Sequence, residues 1–180
     1  FLDKAKEAGI KMVESDGERL SKMCGSHGHQ GIAARVQAIA QVHSLDELLE
    51  NLEAANEDLP PEQRIQPLIL VLDGVTDPHN LGACLRVADG AGACAVIAPK
   101  DHAVGVNATV AKVASGAAET VPYFMVTNLA RTLNELKERS IRIVGLADEA
   151  PQSLFALPLQ GPLALVLGAE GSGLRQLTRK

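Results

Sequence analysis

Asn80, Gly82 and Arg86 lie close together in "DGVTDPHNLGACLR", Asp73–Arg86, which begins on the last residue of the apolar run "LILVLD". A helix that only has to pack against a sheet needs neither this Gly nor this Arg, so the three residues raise the question of a ligand. Asn80 is expected to N-cap a helix. Gly82 and Arg86 are four apart and share a helix face, so the Gly would leave a channel for the guanidinium or for a ligand backbone. The structural alternative is a capped helix with a surface Arg in a salt bridge. A Gly inside a helix costs about 1 kcal/mol against Ala, which favours a functional reason for it.

A second polar loop, "GAEGSGL", Gly168–Leu174, follows "LALVL". Its glycines permit positive φ and close ligand approach. The order G-x-x-G-x-G departs from the G-x-G-x-x-G of dinucleotide folds, and there is no G-K-[ST] phosphate loop. In a strand–loop–helix context, Glu170 would repel a pyrophosphate at the helix N-terminus. It suits a hydroxyl, an amide or a cation, or it is simply a helix-start acid favoured by the dipole. A third loop, "GLADEA", Gly145–Ala150, follows "IRIV". Cys24, His27 and His29 in "CGSHGH" lack a fourth ligand at zinc spacing, so no metal site is expected. No Ser/His/Asp or Cys/His nucleophile set is evident.

These loops need a frame. "LILVLD", "ACAVIAP", "VPYFMV", "IRIVGL" and "LALVLG" are short runs, apolar throughout. Helical segments are expected between them at 80–91, about 107–115 and 128–139. Uniformly apolar strands separated by helices predict an α/β domain, a parallel sheet covered by helices on both faces. Ligands of such sheets bind at the carboxyl ends of the strands. Upstream, residues 1–20 read as helix, loop and helix, and "GIAARVQAI" as a strand. Ser44 with Glu47 forms a capping box for a helix carrying Leu45, Leu48, Leu49 and Leu52, which Pro60 and Pro61 terminate. The expected division is 1–43, 44–66 and 67–180.

Net charge is −5, but seven acids and one base fall within 44–66, while 67–180 carries ten of each sign. The acidity belongs to one segment, and a neutral domain with placed Arg and Lys can hold structured RNA. At 2% aromatic residues, it would not do so by stacking many unpaired bases. Three cysteines without framework spacing and no visible signal peptide predict a reduced, cytoplasmic protein. The longest apolar stretch, "ALPLQGPLALVLGA", is broken by prolines and a Gly and does not read as a membrane span. The opening Phe1 reads as a processed or trimmed end.

Together, "LDGVTDPHNLGACLRVADGAGACAVI", "VASGAAETVP", "VTNLARTLNELK" and "LALVLGAEGSGL" resemble the SpoU group of SPOUT methyltransferases, most of all those modifying guanosine 2'-hydroxyls of large-subunit ribosomal RNA. "HGHQGIAARV" is similar to the last strand of the L30-like RNA-binding lobe that precedes the catalytic domain there. The resemblance implies ribose 2'-O-methylation with S-adenosyl-L-methionine, a ribosomal RNA partner, a homodimer, and neither metal nor membrane. A transfer RNA substrate and a non-catalytic RNA-binding relative are the alternatives. The motif N-x-G-x-x-x-R matches Asn80, Gly82 and Arg86, and L-G-x-E-G-x-G matches Leu167, Gly168, Glu170, Gly171 and Gly173. By that match Asn80, Arg86 and Glu170 are catalytic, while Gly145, Leu146, Ala147, Leu167, Gly168 and Gly171 hold the cofactor. Val87 stands where relatives often have Ser or Thr. The family's third, Ser-Leu-Asn-rich motif has no counterpart before Lys180. Its trefoil knot is therefore expected to be truncated, the chain to be a fragment or one whose ends are not visible, and its cofactor binding to be weak or absent.

Overall fold

The computed structural model describes residues 2–25, 27–35, 43–176 and 178. The chain divides into two compact units, residues 1–37 and 38–180. The first unit holds helices α1 (Leu2–Glu7) and α2 (Gly17–Cys24). Asp16 caps α2 by accepting from the Arg19 N–H at 2.8 Å, and Gly25, at φ +63, ends it. Of the strand expected over "GIAARVQAI", residues Gly31–Arg35 carry no strand, and the rest lies outside the described residues. His27 Nδ1 lies 3.0 Å from the Ser21 hydroxyl, and His29 Nδ1 accepts from the Gly31 N–H at 2.9 Å. Among the described residues no His, Cys, Asp or Glu group could hold a metal.

The second unit opens with α3 (Leu45–Asn56). Its capping box forms with a shift: Ser44 Oγ accepts from Glu47 N–H at 3.1 Å, while the Glu47 carboxylate reaches His43 N–H, one residue before the cap. Leu49 of the apolar stripe is buried in the core beneath the sheet. The Pro-rich segment that follows forms one 3-10 turn, Pro61–Gln63.

All five apolar runs are strands: β1 (Leu68–Asp73), β2 (Ala95–Pro99), β3 (Tyr123–Val126), β4 (Arg142–Gly145) and β5 (Leu163–Gly168). They pair in parallel in the order β3-β2-β1-β5-β4. After α3, the α-helices described in this unit are α4 (Pro78–Gly90), α5 (Ala108–Ala114), α6 (Ala117–Thr120) and α7 (Leu129–Glu138). Strand residues alternate between two cores. Ile69, Val71, Ala164 and Val166 pack with Leu133 and Leu136 of α7. Leu72, Val96 and Ala98 pack with Leu81, Leu85 and Val110 of α4 and α5. Both faces of the sheet are thus covered, as uniformly apolar strands require.

Candidate active site at the carboxyl edge of the sheet

The order β3-β2-β1-β5-β4 makes β1 and β5 neighbours, paired residue for residue from Leu68↔Leu163 to Asp73↔Gly168. The two polar loops therefore leave the sheet side by side. A Cβ on Gly74, the first residue after β1, would lie 3.2 Å from the Ala169 Cβ, the first after β5.

Asn80 does not cap α4, contrary to the sequence expectation. Asp77 does, its carboxylate accepting from the Asn80 N–H at 2.9 Å. Pro78 takes the first helical position, where a missing N–H costs nothing. The amide of Asn80, relieved of capping, is exposed and bears no side-chain hydrogen bond among the described residues.

Gly82 also differs from expectation. It is buried and faces α5, not Arg86: an added Cβ would lie 2.6 Å from Val113 Cβ and 2.9 Å from the Val110 carbonyl oxygen. It lets two helices approach, and it makes no channel for the guanidinium. Arg86 stands exposed one turn further on. Among the described residues its side chain has neither hydrogen bond nor ion pair, and the same is true of the side chain of exposed Glu170. Asn80 and Arg86 are separated by about 9 Å of helical rise and about 120° of rotation. The chain thus brings the loop of Glu170 to the root of α4 but does not itself join Glu170 to Arg86.

The loop after β5 folds back on itself. Ala169 and Gly173 exchange backbone hydrogen bonds of 3.1 and 2.9 Å. Gly171 and Gly173 take φ of +82 and +65, and Gly168 passes so near that a Cβ would lie 2.0 Å from the Gly173 carbonyl carbon. Each glycine of G-x-x-G-x-G therefore has a backbone reason. No helix follows through Gln176, so Glu170 is not a helix-start acid.

At the end of β4, Leu146 N–H donates to the Val166 carbonyl at 2.9 Å. Gly145, Leu146 and Ala147 line a cleft of about 670 Å³ with Asp148, Ser153, Leu154 and Leu157. Leucines beside a carboxylate and a hydroxyl suit a ligand with one flat apolar part and one hydroxylated part. Leu167, Gly168 and Gly171 are not among its walls; they sit on the adjoining strand and loop. Leu174 links the two, since a Cβ on Gly145 would lie 2.9 Å from its Cδ1. A larger cavity, about 790 Å³, lies at the opposite edge of the sheet between α3 and Pro67, Ile141 and Pro162, and holds none of these residues.

Sequence reasoning missed Asp73, Arg175 and Thr178. Asp73, 0% exposed, accepts from Arg175 N–H at 3.0 Å, from Arg175 Nε and from Thr178 Oγ1 at 2.7 Å. The only available signal was an acid closing an otherwise apolar buried strand. Elsewhere in the domain, burial raises the Cys84 and Cys94 thiols above their usual range and pushes the Tyr123 phenol up to about 12.

Comparison with known proteins agrees with this architecture. The SpoU rRNA Methylase family model matches residues 67–180, and the RNA 2'-O ribose methyltransferase substrate binding model matches residues 1–42. The 23S rRNA (guanosine-2'-O-)-methyltransferase RlmB of Ralstonia nicotianae is 58% identical over 180 residues, covering all of this chain and 68% of that protein. The RlmB of Shewanella oneidensis is 52% identical over 182 residues, covering 69% of its own length. Among solved structures, the SpoU methyltransferase AviRb from Streptomyces viridochromogenes in complex with AdoMet superposes with a TM-score of 0.59 at 25% identity, over 68% of this chain and 51% of that one. The A. aeolicus TrmH/SpoU tRNA modifying enzyme does so with a TM-score of 0.54 at 25% identity, over 72% and 65%. The chain thus spans about two thirds of those curated relatives and about half of AviRb. With two thirds of its residues inside one family model and relatives identical at more than half their aligned positions, the chain belongs to the SpoU rRNA methylase family.

Proposed function

We propose that the protein methylates a ribose 2'-hydroxyl, that of a guanosine in 23S ribosomal RNA, using S-adenosylmethionine. The observation that carries the reading is the Asp73↔Gly168 register. It sets the root of α4, whose first turn carries Asn80 and which carries Arg86 further along, beside the loop of Glu170, next to the cleft at Gly145–Ala147. The relatives named above act on 23S rRNA, which supports the substrate. The AdoMet-bound neighbour and the mixed leucine and carboxylate lining of the cleft support the cofactor. Gly145, Leu146 and Ala147 would hold it, with Leu167, Gly168 and Gly171 behind them. When bound, it supplies an electrophilic methyl group on a sulfonium.

The chain's own residues handle the other reactant. A ribose hydroxyl is a poor nucleophile at neutral pH, so it must be aligned and its developing negative charge stabilised. Arg86 offers a planar fork of N–H donors that matches phosphate oxygens. It clamps the phosphate beside the target and stabilises the alkoxide, while the proton leaves through that phosphate or a water. Asn80 orients the ribose through its amide. Glu170 orders Arg86 once substrate bridges the two, or orders a loop N–H. The need for a 2'-hydroxyl makes the substrate RNA and not DNA. The exposed flank of α4, where Val87 is 69% exposed beside Arg86, suits a second copy of the chain, and we place the homodimer contact there. Among the described residues no helix is long and apolar enough to cross a membrane. The ribosomal substrate fits a cytoplasmic enzyme.

The test is incorporation of labelled methyl from S-adenosylmethionine into unmodified ribosomal RNA, by the full-length protein and by its Arg86→Ala variant. Incorporation lost in the variant is the expected result. None by the full-length protein overturns the reading, and equal incorporation by both overturns the role of Arg86. For residues 1–180 alone, calorimetry should show weak or no binding of the cofactor.

A further inference from the structure

Asp73 is a fully buried carboxylate whose donors among the described residues all come from one distant segment: Arg175 N–H, Arg175 Nε and Thr178 Oγ1. None comes from its own strand or from α4. Burying a carboxylate is unfavourable unless it is paired and hydrogen-bonded, so Asp73 demands that segment in place. The same residue faces Gly168 across the β1–β5 ladder. The loop between, Ala169–Leu174, is therefore tied at both ends to one residue, by register at Gly168 and by the carboxylate at Arg175. It is closed internally by the Ala169–Gly173 bridge, and Leu174 seats against Gly145 at the cleft. Glu170 and Gly171 ride on it.

We infer that Asp73 is a positioning residue: through Arg175 and Thr178 it holds the loop that carries Glu170 and Gly171 in its cofactor-competent form. It touches neither reactant. Its kinetic consequence rests on the methyl-transfer reading above, whereas the tethering does not. A tethered loop binds with its ordering already done, and a loosened one lowers apparent affinity in proportion to the competent fraction. The signature is a rise in KM for S-adenosylmethionine with kcat nearly kept. An Asp73 that mattered only as a core anchor would lower stability throughout the sheet and leave that ratio alone.

The experiment compares the full-length protein with its Asp73→Asn, Thr178→Val and Thr178→Ser variants by hydrogen-exchange mass spectrometry and by steady-state methyl transfer. Thr178→Val keeps the shape, removes one donor and leaves Arg175 to pair the charge, so it folds even if Asp73→Asn does not. The expected result is exchange at Ala169–Gly173 faster by about tenfold in Thr178→Val, with β1 and β2 protected as before. The same variant shows KM for S-adenosylmethionine up by about tenfold, as a competent fraction of about one tenth dictates, and Thr178→Ser behaves as the parent. Loop exchange that is unchanged, or that rises equally through β1 and β5, overturns the tether. Faster loop exchange with kcat reduced and KM unmoved overturns the cofactor role. Should the full-length parent transfer no methyl, the methyl-transfer reading falls with the cofactor role built on it, and the exchange arm still decides the tether.

Discussion

Gly82 of α4 and Val113 of α5 meet so closely that a single methyl on Gly82 would lie 2.6 Å from the Val113 Cβ. The motif glycine is thus a packing residue, and its replacement tests that. Gly82→Ala gains about 1 kcal/mol of helix propensity but overpacks the crossing, at about 1–3 kcal/mol or more. Thermal denaturation should show a net loss of stability. Val113→Ala should not rescue it, because the Cβ and the Val110 carbonyl remain in place. Had Gly82 served only as clearance for Arg86, the variant would lose methyl transfer at full stability.

The two glycines flanking Glu170 should differ sharply. A Cβ on Gly168 would meet the Gly173 carbonyl carbon at 2.0 Å and the Leu174 nitrogen at 2.3 Å. Both are backbone atoms, so Gly168→Ala must open the loop. Gly171 has open space around it, and only its φ of +82 resists a side chain, at about 1–2 kcal/mol. Denaturant unfolding should rank Gly168→Ala well below Gly171→Ala. Equal losses would mean that the close approach relaxes freely.

The attachment of α3 offers a contrast between burial and charge. Leu49 is 4% exposed in the core, and Leu49→Ala should cost about 2–4 kcal/mol. Arg139 bonds Glu53 at 2.9 Å and lies 3.7 Å from Asp46, but both acids are largely exposed. Arg139→Ala should cost under about 1 kcal/mol, and less in high salt. A larger, salt-independent loss for Arg139→Ala would show that the acidic helix is held mainly by its ion pairs.

How much of this was legible depends on the range of the interaction. The strands were, because uniform apolarity marks burial on both faces, and each of the five runs became one. The capping box at Ser44 was, being local. The start of α4 was misread because Asp77 and Asn80 are both good caps, and only the placement of Pro78 at the first helical position separates them. Gly82 was misread because its partner, Val113, belongs to another helix. Asp73 went unseen because its donors lie 102 and 105 positions away, and no periodicity spans such a distance. Asn80, Arg86 and Glu170 were picked out by residue type and motif, and they remain a proposal for substrate to test.

Tyr123 allows a pH prediction with a single reporter, since the chain has one Tyr and no Trp. Its hydroxyl donates to the Val104 carbonyl at 2.8 Å, and burial pushes its pKa up to about 12 from about 10 in an unfolded chain. Burial favours the neutral phenol, so the folded pKa lies above the unfolded one. The stabilisation is fully present below about pH 10 and is lost as pH rises through 12. Titrating the near-ultraviolet phenolate absorbance should show one transition near 12 in the folded protein and one near 10 in denaturant. Unfolding free energy should fall between those values, and Tyr123→Phe should flatten the fall. A native transition near 10 would mean that Tyr123 is open to water and that the β3 edge is looser than described.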